Sequence, residues 1–153
     1  MAYNLNDKLV IAISSRALFD LEEENQIFEK DGLDAYYKYQ LENEDKSLKK
    51  GTGYRLVENI LKINSFFSSD ERQVEVTILS KNNAATSLRI TNAINDLKLD
   101  IIRSAWTSGT NISNYLKTFK VDLFLSADDN DVLNAIENGV AAAKILPSNE
   151  NIH

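Results

Sequence analysis

The 153-residue chain contains no cysteine, one proline, five glycines and one histidine. Without cysteine there is no disulfide, no thiol nucleophile and no thiolate-bound zinc. The histidine is His153, the last residue of the sequence, and chain ends are commonly poorly ordered. We therefore expect no Ser-His-Asp triad, no His-ligated metal and no His proton shuttle. So little proline (Pro147) and glycine leaves no room for a low-complexity linker, and no short-period repeat is visible. No apolar run approaches the roughly 18–20 residues of a membrane span, and Met1 to Lys8 lacks the apolar stretch of a secretory signal. The expectation is a cytoplasmic protein with no membrane partner. Positive charge is also short: 17 Lys+Arg against 23 Asp+Glu give a net charge of −6, which disfavours a broad basic face wrapped by duplex nucleic acid.

What is present is a core. Hydrophobic residues make up 43% of the chain, enough for one domain spanning residues 1–153, with about 70% of the unfolded surface buried at this size. Five short apolar runs, Leu9–Ile13, Val74–Leu79, Ile101–Trp106, Val121–Leu125 and Ala141–Leu146, suit strands covered on both faces. Between them the spacing turns helical. Leu56, Ile60, Ile63 and Phe67 recur at i, i+4, i+7 and i+11, and Ile90, Ala93, Ile94 and Leu97 at i, i+3, i+4 and i+7. A further helix is predicted over Asp129–Asn138, with Val132, Ala135 and Ile136 inward and Gly139 ending it in a left-handed cap. Strands alternating with helices imply an α/β fold: a Rossmann-like three-layer sandwich around a mostly parallel five-stranded sheet. Residues 20–50, with Glu22-Glu23-Glu24 and Tyr36-Tyr37-Tyr39, fit the alternation least and read as a helical insertion after the first strand, covering one end of the sheet.

Ligands of open parallel sheets bind at the carboxyl ends of the strands. Ser14-Ser15-Arg16, after strand one, offers hydroxyls, backbone N–H groups and a guanidinium to a phosphate; equally, the serines end the strand and Arg16 pairs with the acidic insertion. After strand two, Asn82 or Asn83 is a good N-cap, while Ser80 and Lys81 can face an anion. Thr107 to Asn111 is either a ligand loop, using Ser108, Gly109 and Thr110, or a plain turn. Asp128 and Asp129 are weak candidates for a divalent cation beside the simpler reading of helix capping. Gly51-Thr52-Gly53 follows no strand and lacks a third glycine, so it is discounted as a nucleotide loop.

Taken together, Leu9-Val10-Ile11-Ala12-Ile13-Ser14-Ser15-Arg16-Ala17-Leu18-Phe19-Asp20, Tyr39-Gln40, Val74 to Asn82, and Tyr115-Leu116-Lys117 leading to Val121 to Ala127 resemble the cytosolic 5′-nucleotidase type I family, whose fold resembles that of the haloacid dehalogenase (HAD) superfamily. The resemblance runs from about Lys8 to Leu146 and is to the amino-terminal half of a protein about twice this length. It implies a cleft at Ser14, Ser15, Arg16, Phe19, Ser80, Lys81, Asn82, Ser108, Gly109, Thr110 and Ser126. The superfamily's phosphatases use an Asp-x-Asp after the first strand as nucleophile and general acid, a Lys, and further acids for Mg²⁺. Here those Asp positions read Ser14 and Arg16, the lysine expected around Gly109 to Ser113 is missing, and the acidic pair after strand four reads Ser126-Ala127. The leading expectation is therefore a non-catalytic nucleotide-binding protein with no cofactor, sequestering a nucleotide or cyclic-nucleotide signal, for instance one made in antiviral defence. The alternative is a Mg²⁺-dependent 5′-nucleotidase, or half of one. Without the second half, a homodimer or higher homo-oligomer is expected to cover the surface left open.

Overall fold

The computed structural model describes residues 5–146; His153 and Pro147 lie outside the described residues. The five principal strands are β1 (Leu9–Ile13), β4 (Val74–Ser80), β5 (Arg103–Trp106), β6 (Leu123–Ser126) and β7 (Ala141–Lys144), with β2 (Phe19–Asp20) and β3 (Lys49–Lys50) forming a small separate ribbon. The five form one sheet in the order β5-β4-β1-β6-β7, and every pairing is parallel. Central β1 alternates: Ile11 and Ile13 enter one core with Val76, Ile78, Val57 and Ile90, while Val10 and Ala12 enter the other with Leu116, Phe124 and Ala135. Helices α3 (Tyr54–Lys62) and α4 (Ala84–Asp96) cover the first face, and α5 (Ser113–Thr118) and α6 (Asp129–Glu137) the second. This is the three-layer α/β sandwich expected from alternating strands and helices.

Strand and helix boundaries shift for an identifiable reason. Three helices end in the same motif, a residue of positive φ followed by an N–H that reaches back five residues. Lys98, Lys120 and Gly139 take φ of 53°, 56° and 79°, and the N–H groups of Leu99, Val121 and Val140 donate to Ile94, Leu116 and Ala135. Gly139 was expected in this role; the two lysines were not. Because its N–H is committed to the cap, Val121 precedes the strand instead of starting it. The preceding strand likewise begins at Arg103, not Ile101, and the last ends at Lys144, not Leu146.

The predicted faces of two helices are corrected. In α3 the buried residues are Tyr54, Val57 and Leu61, whereas Leu56, Ile63 and Phe67 are exposed and the helix gives way to a 3₁₀ turn at Ile63–Phe66. Its orientation is fixed at its start, where Gly53 N–H donates to the Ala17 carbonyl at 2.9 Å. A Cβ on Gly53 would lie 2.5 Å from that same oxygen, so only glycine lets the backbones approach this closely. In α6, Ala135 is buried but Ile136 faces solvent, and Asp131 takes an inward position one turn before Ala135. The α4 face stands as read, with Ile90, Ala93 and Ile94 buried and Leu97 packed against them.

After β1 comes a four-residue turn of helix, α1 (Ser15–Leu18), and then the insertion. Its helix, α2 (Glu22–Glu42), is broken at Gly32, whose φ of 88° and ψ of −177° are not helical. Residues on either side of the break come together in antiparallel pairs: Phe28 with Tyr36 as a ring contact, and Tyr39 O–H donating to Glu23. The insertion is thus a helical hairpin, closed at its base where Phe19 and Asp20 pair with Lys50 and Lys49. It is fastened to α4 by Thr86, whose Oγ1 donates to the Tyr36 hydroxyl oxygen at 2.8 Å, and above all by Arg89. Arg89 Nη1 donates to Glu24 Oε1 at 2.6 Å and to Gln40 Oε1 at 3.0 Å, one acceptor from each arm. Arg89 and Glu24 are 3% and 6% exposed at their side chains.

Removing one member of a buried ion pair leaves the other uncompensated and costs about 3–5 kcal/mol. Arg89→Met is therefore expected to lower stability by about that amount in urea titration, and the double variant with Glu24→Gln to recover part of it because no lone charge remains. Equal midpoints for Arg89→Met and the native chain would refute this account of the hairpin's attachment.

Candidate functional site

The register of the sheet assembles the site. Ile13 is level with Ile78 and with Leu125, so the next residues, Ser14 and Ser15, stand beside Ser126 and Ser80 at the carboxyl end. Ser14, Ser15, Ser80 and Ser126 are all buried and form the floor of a cavity of about 620 Å³, within the usual size range for small-ligand pockets. Its walls are Arg16 from α1, the loops after β4, β5 and β6, and the hairpin residues Leu21, Phe28, Leu33 and Tyr36.

The floor is largely satisfied from within. Ser15 Oγ donates to Asn82 Oδ1 at 2.6 Å, which leaves Ser80 Oγ, 2.9 Å away, to donate to Ser15. Ser80 Oγ in turn accepts Ser15 N–H at 3.3 Å. Ser14 N–H is spent on the Leu125 carbonyl. Ser126 Oγ accepts Asp128 N–H. The backbone donors expected to meet a phosphate at Ser14 and Ser15 are therefore already engaged. Asn83, not Asn82, caps α4 through Thr86 N–H, which frees Asn82 for the serine network.

The loop after β5 forms a tight turn, one of the two readings weighed from sequence. Thr110 N–H donates to the Thr107 carbonyl across Ser108 and Gly109, both of positive φ, as in a tight turn of the kind glycine favours. The N–H groups of Ser108 and Gly109 are held by Asn82 and Lys81 carbonyls, so they offer no open anion nest. Ser108 and Gly109 line the cavity, but Thr110 does not; Thr107 Oγ1 instead donates to its carbonyl. Phe19 is also displaced from the expected site. It is fully buried in the core, its ring 6.4 Å from that of Tyr54.

Two cations remain on the cavity, each beside a carboxylate. Arg16 Nη2 pairs with Glu22 at 3.0 Å, both side chains over a third exposed, which is the pairing with the acidic insertion weighed from sequence. Its Nε is buried and, among the described residues, has no hydrogen-bond partner. Lys81 Nζ lies 2.7 Å from Asp131 Oδ1, with the lysine side chain 37% and the aspartate 7% exposed. Asp131 lines the same cavity and escaped the sequence reading, in which residues 128–131 were one acidic helix start. Burial pushes its carboxyl above the ordinary value, with Asp128 adding to the rise and Lys81 opposing it.

Neither weak metal candidate is free. Asp128 caps α6 through Asp131 N–H, and Asp129 pairs with Lys144 at 2.8 Å. Among the described residues no group of three or more acidic or imidazole side chains converges as a metal site. The carboxyl end of β1 carries hydroxyls and a guanidinium where HAD phosphatases carry carboxylates, so this donor set does not fit the Mg²⁺ of that chemistry.

A parallel sheet with this strand order, a cleft at the end of its central strand and a helical insertion above it define a Rossmann-like three-layer α/β protein. The chain belongs to the 5′-nucleotidase family, whose model matches residues 1–153. It is 32% identical over 142 residues to human cytosolic 5′-nucleotidase 1B, a match covering 90% of this chain and 23% of that protein; it thus spans about a quarter of its relative's length. Among solved structures it is similar to the HAD domain of effector protein Lem4 from Legionella pneumophila, at 12% identity over 95% of this chain and 88% of that one, with a TM-score of 0.47. No helix among the described residues is long and apolar enough to cross a membrane.

The raised Asp131 carboxyl has a signed consequence. Between the ordinary value of 3.8 and its folded value, the folded chain binds a proton that the unfolded chain has released, so stability is greatest below that window and declines as pH rises through it. Compared with Asp131→Asn, the native chain is expected to lose stability over that interval and run parallel to the variant above it. Urea midpoints from just below pH 3.8 to neutrality measure this; parallel curves throughout would contradict it.

Proposed function

We propose that the cleft binds a nucleotide, or a nucleotide-derived signal, through its phosphate and releases it unhydrolysed. The observation that carries this reading is the pair of cavity cations, Arg16 with an unpartnered Nε and Lys81. Glu22 and Asp131 now lie beside them as internal anions. A phosphate entering the cavity supplies the oxygen acceptors that Arg16 Nε lacks, and charge-assisted bonds to phosphate are among the stronger ones a protein makes. Hydrolysis by the superfamily's route needs an ionised carboxylate as nucleophile at the end of β1. Ser14 is no substitute without a base, and Arg16 cannot act as an acid near neutrality. Binding without turnover suits sequestration of the ligand.

Family membership favours a second reading: a 5′-nucleotidase, or one part of such an enzyme. The chain covers only 23% of its human relative, and the rest of a longer protein would then supply the acidic residues and Mg²⁺.

The deciding experiment incubates the protein with nucleoside monophosphates and cyclic nucleotides, with and without Mg²⁺, and identifies the retained and free pools by mass spectrometry. Intact nucleotide released only on denaturation supports binding. Nucleoside and phosphate accumulating over many turnovers would establish the enzyme instead. In titration calorimetry, Arg16→Glu and Lys81→Ala are each expected to weaken binding on the order of tenfold or more, the scale of a lost hydrogen bond to a charged group. Glu22→Gln, which removes a competing anion, is expected to tighten it. Unchanged affinity in both cation variants would overturn the phosphate assignment.

A further inference from the structure

The second arm of the helical hairpin carries an apolar stripe that the fold leaves in water. Helices normally turn such a stripe inward, yet the residues of α2 that are buried are Glu24 and Gln40. Beyond the break at Gly32, Leu33, Tyr37 and Leu41 recur every fourth residue and so lie one above another on one side of the arm. They are 59%, 43% and 45% exposed. The arm runs beside α4 in the same direction: Tyr36 meets Thr86, Gln40 meets Arg89, and the Glu44 carbonyl accepts from Asn92. On that stretch of α4 a further apolar side chain, Leu88, is 46% exposed. These contacts hold the arm through its other residues, so the stripe is fixed in place and is not the surface of a loose segment.

We propose that this stripe is a self-association surface, on which the same arm of a second copy of the chain packs antiparallel about a two-fold axis at Tyr37. The spacing is symmetric about that residue. An antiparallel arm sets Leu33 of each copy against Leu41 of the other and the two Tyr37 rings against each other, as an interface between identical surfaces requires. The charges agree with this orientation. Asp34 and Lys38 are exposed and each follows a stripe residue directly, so both edge the stripe on one flank. Antiparallel packing joins that flank of the two copies and brings each Asp34 toward the other's Lys38, where Glu42 of the lysine's own arm already lies at 3.8 Å; parallel arms would set like charges at the same height. One arm from each copy makes a contact at the small end of specific interfaces, so the dimer is expected to be reversible and to form as concentration rises. Tyr37 and Leu41 do not line the cavity, so this surface stands or falls apart from any ligand of the cleft.

Sedimentation velocity of the full chain over a concentration series tests it. The native chain is expected to pass from monomer to dimer. Tyr37→Glu, which places two like charges at the axis, is expected to weaken that dimer by about 30-fold or more, the scale of a lost aromatic hot spot, with an unchanged urea midpoint at low concentration because the position is exposed. A second variant decides the matter even where Tyr37→Glu does not fold. The chain has no cysteine, so Tyr37→Cys supplies a single thiol that faces its own symmetry mate. Mild oxidation is expected to link it into a covalent dimer, while Ile136→Cys, also exposed but on α6, stays monomeric. A native chain that remains monomeric at every concentration overturns the proposal. So does a dimer that survives Tyr37→Glu, a Tyr37→Cys chain that fails to link where the native chain is dimeric, or Ile136→Cys linking as readily.

Discussion

The Arg89 guanidinium is the constraint on which the cleft depends. Without it the hairpin would hold to the sheet only through the β2–β3 ribbon, Leu21 and Leu48 at its base and scattered polar contacts, because the residues buried within α2 itself are polar. Taking Arg89 and Glu24 out of water is expensive, and a buried ion pair is not by itself a source of net stability. It does impose geometry: one donor nitrogen bonded to Glu24 on the first arm and Gln40 on the second admits only one relation between the arms and α4. An apolar contact of the same area would be more forgiving of sliding. Gly32 works with it, since a reversal of the backbone at φ 88° is open to glycine at little cost.

The polar floor arises independently, from register. Parallel strands in a twisted sheet present their carboxyl ends at staggered heights, and the pairing of Ile13 with both Ile78 and Leu125 brings three separate stretches of sequence to one level. Buried hydroxyls at such a place must be hydrogen-bonded or they destabilise the fold, and the serines meet this requirement largely by bonding to Asn82, to backbone groups and to one another. The floor is therefore a rigid polar surface more than a set of free ligand donors. The charged groups around it, on α1 and on the loop after β4, are the ones with capacity left for a partner.

This division explains what could be read from the amino-acid order. The sheet was legible because its apolar runs are short, although only the central β1, β4 and β6 are buried on both faces and the edge strands β5 and β7 are not; the positions of Ser14, Ser15, Ser80 and Ser126 follow from the strands they terminate. The hydrogen-bond ledger around them was not legible, because whether Gly109 N–H meets a ligand or the Lys81 carbonyl depends on how two loops lie together. Nor did the helix ends declare themselves at Lys98 and Lys120, where the left-handed residue carries a full side chain and the usual glycine signal is missing. The apolar spacing of Leu56, Ile60, Ile63 and Phe67 is genuine, yet the close contact at Gly53 turns Tyr54, Val57 and Leu61 inward. Asp131 was hidden in an acidic run whose other members perform the ordinary work of capping and surface pairing. Phe19 lay next to the site in sequence and in the core in space, where it pairs with Lys50 through the backbone and its ring lies against that of Tyr54.

A hydroxyl and a guanidinium at the end of β1 set the physics of the cleft more than its shape. Two carboxylates facing a phosphate repel it unless a divalent cation lies between, so the hydrolytic arrangement binds its substrate through metal. In the binding role proposed above, a hydroxyl and a guanidinium meet a phosphate without that repulsion. Some negative charge persists nearby: Glu22 and Asp131 sit on Arg16 and Lys81 and keep the cations from standing uncompensated in a partly buried space. On the proposed reading a phosphate would compete with them, and this competition would set affinity below what two free cations would give. Asp131 would make that exchange responsive to acidity, since it is held above its ordinary value by burial and becomes a weaker rival for Lys81 once protonated. Ligand retention should therefore strengthen as pH falls through that carboxyl's titration, for as long as the phosphate itself stays ionised.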